Sequence, residues 1–260
     1  MPKVTATVIT LNEEAHIEAA IRSLAWADEI VVVDAGSTDG TVRLAEATGA
    51  RVVTRAWTGW IDQKNHAAQL ASHDWIFSLD ADERVPPELV IELRALLAGD
   101  PALGGYRMPR VSFYLGRWIR TTDFYPDYQT RLYDRRRARW RGQYVHESVG
   151  VDGPVGTLTQ ELQHFSFDSL ADHIDRLNRY STLAARQMYE NGRRTSTLML
   201  VAHPMAAFVR NYLLRRGIVD GGTGLMLSLV NAYGVFLKLA KLWERQRLGE
   251  DPAQTGRRIR

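Results

Sequence analysis

Apolar and polar positions follow two rhythms over the first hundred residues. Val4-Thr5-Ala6-Thr7-Val8-Ile9 reads as a strand, and Glu29-Ile30-Val31-Val32-Val33 is a β-branched run of the kind buried on both faces of a parallel sheet. Arg51-Val52-Val53-Thr54 and Trp75-Ile76-Phe77-Ser78-Leu79 predict two more strands. Between them the spacing becomes helical. Ile17, Ala20, Ile21 and Leu24 share one face of a helix predicted over Glu13 to Leu24. Helices are also predicted over Thr38 to Ala47 with Thr38 or Asp39 as N-cap, over Ile61 to Ala71, and over Pro86 to Leu97, where prolines suit the first turn. The order β-α-β-α-β-α-β implies an α/β fold with a doubly wound, mostly parallel sheet flanked by helices.

Past residue 100 the rhythm changes. From Gly104 to His164 short aromatic, β-prone runs mix with Arg, Gly and Pro, and irregular strands and loops are expected to complete the sheet and an acceptor cleft. From Ser169 the chain turns helical, with Leu170, Ile174, Leu177, Ala184 and Met188 on one face. Leu198 to Leu248 reads as two or three further helices broken near Gly217 and Gly221-Gly222. The expected division is a catalytic domain over 1–168, with halves 1–100 and 101–168, and a helical C-terminal extension over 169–260.

Composition narrows the chemistry. At 45% hydrophobic residues, the 260-residue chain can bury a substantial core. With no cysteine it has no disulfide, thiolate metal site or cysteine nucleophile, which fits a reducing compartment. The first residues carry no pattern of a secretory signal. The net charge of +3 is uneven, since residues 200–260 hold ten Lys and Arg against four Asp and Glu. A basic C-terminal piece suits anionic lipid or phosphate, or a solvated helical tail. Nucleic acid is not expected as a partner.

Ligands of an open parallel sheet bind beyond the carboxyl ends of its strands. After the first strand stands Thr10-Leu11-Asn12-Glu13-Glu14, with no glycine and two carboxylates that would repel pyrophosphate, so a dinucleotide-binding turn is disfavoured. After the second stands Asp34-Ala35-Gly36-Ser37-Thr38-Asp39-Gly40-Thr41, where Asp34 can accept hydrogen bonds from a base or sugar edge, or simply close a loop. After the fourth stands Asp80-Ala81-Asp82-Glu83. Three acids crowded at an apolar strand end call for a positive charge, and a hard divalent cation, Mg²⁺ or Mn²⁺, would take their oxygens while leaving positions for a diphosphate.

The run VVVDAGSTDGT, followed about forty residues later by WIFSLDADE, resembles the family 2 glycosyltransferases with a GT-A fold, over roughly residues 3–165. QKNHA at Gln63 to Ala67, YPDYQTRLY, VHE and the helical C-terminus are similar to a branch of lipopolysaccharide-core β-glucosyltransferases. The resemblance implies a nucleotide-sugar site in which Thr10, Leu11 and Glu13 line the nucleobase pocket and Asp34 contacts uracil or ribose. Asp80, with Ala81 beside it, faces the ribose, and Asp82 binds the metal. Lys64 would help hold the nucleotide, although a solvated helix lysine is the default for such a residue. An inverting transfer also needs a general base. Glu147 in Val145-His146-Glu147 is the first candidate and Asp127 the second, because the acidic pair that relatives carry after the metal site is missing. His164 is a candidate late metal ligand, or a packed histidine beside aromatics. Arg131 and the Arg135-Arg136-Arg137 run would meet phosphate, or in the latter case form a solvated turn.

The implied function is transfer from a UDP-sugar, UDP-glucose first, to a lipopolysaccharide-core or related glycan or glycolipid acceptor. Transfer to a polyprenyl phosphate is the alternative within enzymes, and a non-catalytic nucleotide-sugar-binding membrane protein is the alternative outside them. The uncharged 221–237 stretch falls short of the ~20 apolar residues of a spanning helix. Peripheral contact with an anionic membrane, at the cytoplasmic face of the inner membrane, is therefore expected. A homodimer through the C-terminal helices is the competing expectation.

Overall fold

The β-branched runs form strands where the pattern predicts them, and the computed structural model describes residues 1–142, 147–167 and 169–248. The first elements are β1 (Val4–Thr10), α1 (Ile17–Ser23), β2 (Glu29–Asp34), α2 (Thr41–Ala47), β3 (Arg51–Thr54), α3 (Trp60–Leu70), β4 (Trp75–Asp80), β5 (Glu83–Arg84) and α4 (Pro87–Ala98). The strands β6 (Gly105–Tyr114), β7 (Arg117–Ile119), β8 (Asp127–Asp134), β9 (Ala138–Arg141), β10 (Ser148–Val151), β11 (Gly156–Thr157) and β12 (Leu162–His164) follow. The helices α5 (Leu170–Glu190), α6 (Thr197–Val209) and α7 (Gly221–Leu248) complete the order.

The chain divides into two compact units, Met1–Phe113 with Pro126–Ser166, and Tyr114–Tyr125 with Phe167–Arg260. The segment Tyr114–Tyr125 thus belongs with the C-terminal helices. In the first unit β3, β2, β1 and β4 lie side by side and parallel. The sheet then turns mixed, because β8 runs antiparallel to both β4 and β6, and β12 follows parallel to β6.

Alternation along β1 and β2 separates two cores. Val4, Ala6, Val8 and Val32 face Ile17, Ile21 and Leu24 of the α1 side and Leu89, Leu93 and Leu97 of α4. Ile9, Val31 and Val33 face Ala67 of α3 on the other side. This two-sided burial is why the strands read as continuous apolar runs.

Two predicted helices begin later than expected. α1 starts at Ile17 rather than Glu13, and α2 at Thr41 rather than Thr38. The residues before each are held by side chains of the other loop, and that competes with helical hydrogen bonding.

In the second unit Ser169 caps α5 by accepting the Asp172 N–H at 3.1 Å. α6 runs through Pro204 into a π-helical turn, Arg210–Leu214, and a 3₁₀ turn, Gly217–Asp220, before α7. A Cβ on Gly224 would stand 1.8 Å from the Gly217 carbonyl oxygen, so glycine there allows the 3₁₀ turn to sit on α7. Gly217–Leu248 is long and apolar enough to cross a membrane by length and composition. That corrects the expectation of too short a stretch, which counted only the uncharged residues and not the helix continuing to Leu248.

Candidate active site

The sheet order reverses at β1, which lies between β2 and β4, and a ligand of an open α/β sheet is expected at such a point. The loops after β1 and β2 are laced together. Asn12 takes a left-handed φ of 54°, a conformation asparagine tolerates, and its Oδ1 accepts the Thr38 N–H at 2.8 Å. The Asn12 N–H donates to Ser37 Oγ at 2.8 Å, the Glu13 N–H to Thr41 Oγ1 at 2.8 Å, and the Gly40 N–H to Glu14 Oε2 at 3.0 Å. A Cβ on Gly40 would come within 2.5 Å of Glu14 Oε1, so this approach requires glycine.

Thr10 is buried and pairs in register with Asp34, whereas Leu11 is exposed. Asp34 is also buried. Its Oδ2 accepts the N–H groups of Gly36 at 2.8 Å and Ser37 at 2.9 Å, and its Oδ1 accepts the Ser37 hydroxyl at 2.5 Å. The carboxylate thus shapes the turn that follows β2.

The acids after β4 divide into two groups. Asp80 Oδ1 lies 2.9 Å from Lys64 Nζ, and Asp80 Oδ2 accepts from Arg131 Nη2 at 2.6 Å. Arg131 Nη2 also donates to Glu83 Oε1 at 2.5 Å, and Arg110 Nη1 reaches the same oxygen at 2.9 Å. Burial works against the Asp80 charge, but Arg131 and Lys64 outweigh it and hold the carboxyl well below the usual range. Burial likewise opposes the Arg131 charge, and Asp80 and Glu83 reverse that effect and raise its pKa. Contrary to the expectation from their crowding, Asp80 and Glu83 need no bound cation, because the chain supplies their counter-charges. The default of a solvated Lys64 is corrected too: it is 4% exposed, with Nζ 4.1 Å from the Trp140 ring centroid.

Asp82 is the acid left over. Its Oδ2 lies 3.2 Å from His164 Nε2, and its backbone carbonyl accepts the Phe165 N–H at 2.8 Å. Burial disfavours the Asp82 charge, yet His164 beside it draws the carboxyl pKa below its ordinary value. Ser112 Oγ stands 3.5 Å from His164 Nδ1, at the outer limit of a hydrogen bond. No three His, Asp or Glu residues gather into a metal site among the described residues. Asp82 and His164 form a two-donor set of carboxylate oxygen and imidazole nitrogen. Such a pair fits a divalent ion that draws its remaining ligands from diphosphate and water.

The two candidate bases differ. Arg110 donates to Asp127 Oδ2 through Nε at 2.9 Å and Nη2 at 2.5 Å, and Gln129 Nε2 donates to Asp127 Oδ1 at 2.7 Å. Both Asp127 oxygens are thus engaged. Glu147 is half-buried and immediately precedes β10, while Val145 and His146 lie outside the described residues. β10 pairs with β9 through Val149 and Trp140, which ties this hairpin to the Lys64 side chain. The triple arginine forms a turn. Arg135 donates to the Ala68 and Ala71 carbonyls at 2.9 and 2.7 Å, and Arg136 pairs with Asp134 at 2.7 Å.

Residues 5–153 match the model of glycosyl transferase family 2. The chain belongs to that family. This glycosyltransferase is 34% identical to an uncharacterized glycosyltransferase of Rickettsia bellii (strain RML369-C), over 93% of its own length and 86% of the relative's. It is also 34% identical to the lipopolysaccharide core biosynthesis glycosyltransferase LpsC of Rhizobium meliloti (strain 1021), over 95% and 94% of the two chains. A mycobacterial protein of solved structure superposes with a TM-score of 0.50 at 17% identity, covering 75% of this chain and 76% of that one, a likeness of fold alone.

Sequence reasoning named Lys64, Asp80, Asp82 and His164 separately, and the glycosyltransferase fold brings Lys64 to Asp80 and His164 to Asp82. It missed Arg110 and gave Glu83 no role of its own. Arg110 gave a partial signal, since it stands between Pro109 and Val111 in a β-prone run and a buried arginine needs a carboxylate partner.

Proposed function

We propose that this glycosyltransferase is an inverting, metal-dependent hexosyltransferase. It moves glucose from UDP-glucose to a lipopolysaccharide-core or related cell-surface glycan, at the cytoplasmic face of the inner membrane. The observation that carries the reading is the division of the acids after β4. Asp80 and Glu83 are neutralised within the protein, while Asp82 stands with His164, 3.2 Å away, as the remaining donor pair. The likeness to a relative described as acting in lipopolysaccharide core biosynthesis supports the acceptor class.

Asp82 and His164 would hold a divalent cation, whose chemistry when bound is to offset the charge of the departing diphosphate. Lys64 and Arg131 neutralise Asp80, two residues before Asp82, and so leave Asp82 as the acid open to the ion. Thr10, Leu11, Glu13, Asp34 and Ala81 border the crevice proposed for the nucleotide. Glu147 takes the proton of the acceptor hydroxyl. The acceptor oxygen then attacks the anomeric carbon opposite the diphosphate, the carbon–oxygen bond to UDP breaks with its electron pair leaving on UDP, and the configuration inverts. Glu147 is preferred to Asp127 because Arg110 and Gln129 already occupy both Asp127 oxygens.

The test is a panel of UDP-sugars offered with truncated core oligosaccharides, with Mn²⁺ or with EDTA. Turnover of UDP-glucose to a β-linked product, lost in EDTA, is expected. Full turnover in EDTA rejects the metal, an α-linked product rejects inversion, and turnover only with a polyprenyl phosphate rejects the acceptor class.

A further inference from the structure

The second unit holds a group of aliphatic side chains in water by the way its backbone is built. Between α6 and α7, Leu213 is 53% exposed, Leu214 75%, Ile218 53% and Val219 70%. On α6 itself Leu198, Val201, Met205 and Val209 recur every three or four residues and are all exposed, an apolar stripe leading to this tip. Contiguous exposed apolar surface of this kind marks an interaction site more often than chance.

The tip is braced from within. The Arg215 carbonyl accepts the Thr122 N–H at 2.9 Å, and Asn211 Oδ1 accepts the Asp123 N–H at 2.7 Å. Asp220 accepts the Thr121 hydroxyl and pairs with Arg117 at 3.0 Å. Arg216 adopts a left-handed φ of 60°, and a Cβ on buried Gly217 would meet the Asn211 carbonyl oxygen at 2.9 Å. Asn211, Asp220 and the Arg215 carbonyl are thus engaged on the inner side of the turn, and the aliphatic side chains cannot fold in without breaking these bonds.

The charge around the tip identifies its partner. Arg210 and Arg215 share one acid, Asp123, Arg117 takes Asp220, and Arg216 is exposed, leaving cations in excess. A two-fold contact between copies of this chain would set these arginines against each other. A crossing by α7 would strip away contacts it makes with α5, where Lys241 Nζ donates to the Asn178 carbonyl at 2.6 Å and Ser181 Oγ at 2.8 Å. Aliphatic side chains ringed by arginine are what the interface of an anionic bilayer accepts.

We propose that the turn between α6 and α7 is a membrane-contact site: Leu213, Leu214, Ile218 and Val219 enter the headgroup boundary of an anionic bilayer, and Arg215 and Arg216 meet lipid phosphate. This deepens the membrane location proposed above but rests on the second unit alone, and its test reads no catalysis, so the two can fail separately. The full chain is co-sedimented with vesicles of phosphatidylcholine alone or mixed with phosphatidylglycerol, at low and high salt. Binding to the mixed vesicles, weakened by salt, is expected, and the double variant Leu214→Glu/Val219→Glu should bind roughly tenfold or more weakly at an unchanged thermal midpoint. Wild-type binding to neither vesicle, or variant binding equal to wild type, overturns the proposal. So does a wild-type dimer that the same substitutions convert to a monomer without lipid. If that variant is unstable, Arg215→Gln/Arg216→Gln serves instead, and undiminished binding to the mixed vesicles overturns the proposal equally.

Discussion

Nε2 of His164 stands 3.2 Å from Oδ2 of Asp82, bringing the end of β12 to the loop after β4. In the proposed reaction this pair holds the divalent ion. Asp82→Asn and His164→Ala should each abolish Mn²⁺-dependent UDP binding in a calorimetric titration, with thermal midpoints close to wild type. Retention of wild-type Mn²⁺ affinity by either variant removes that residue from the site.

The Arg131 guanidinium is buried between Asp80 and Glu83. Arg131→Met leaves Asp80 with Lys64 and Glu83 with Arg110 as their remaining partners, and breaking a buried pair of this kind costs up to roughly 3–5 kcal/mol. Arg131→Met/Glu83→Gln should regain part of the loss, since the second substitution removes a buried charge that has lost one of its two arginine partners. Urea unfolding of the wild type and the two variants measures both effects. A double variant no more stable than Arg131→Met would show that Glu83 is neutralised by Arg110 alone.

Glu147 and Asp127 make opposite predictions as general bases. Glu147→Gln should lower kcat by roughly 10²-fold or more with little change in UDP binding. Asp127→Asn instead loosens the Arg110 contact, and its effect should be mainly on stability. Steady-state kinetics beside thermal melts would reverse the assignment if Asp127→Asn showed the pure kcat defect.

In the second unit, burial lowers the His173 pKa from 6.5 to about 4, and its Nδ1 lies 3.0 Å from the Tyr114 hydroxyl. The neutral ring is the one that folds. As pH falls below 6.5 the unfolded chain takes up a proton that the folded chain refuses until about 4, so this group's contribution to stability is complete above 6.5 and is lost on the way down. Against His173→Gln, wild type should lose stability more steeply across that window in urea melts. Parallel pH profiles for the two proteins would contradict a neutral, buried His173.

Local pattern alone determined much of the first unit. The two-sided burial of β1, β2 and β4 appears in sequence as unbroken apolar runs, and helical spacing located α1, α3, α4 and α5, because each signal depends only on neighbours within a turn or a strand. The D-A-D-E acids and the loop after β2 were likewise legible as residues at the carboxyl ends of parallel strands. Tertiary structure decided which charges meet. Lys64 looked solvated because its partner Asp80 lies on another element, and the need for an external cation at Asp80 and Glu83 vanished once β6 and β8 delivered Arg110 and Arg131. Asp127 stood as the second candidate base on sequence alone, and only the fold shows Arg110 closed on it. A side chain's ionisation and availability depend on whatever the fold brings within a few ångströms, and sequence spacing carries no information about approaches from distant strands.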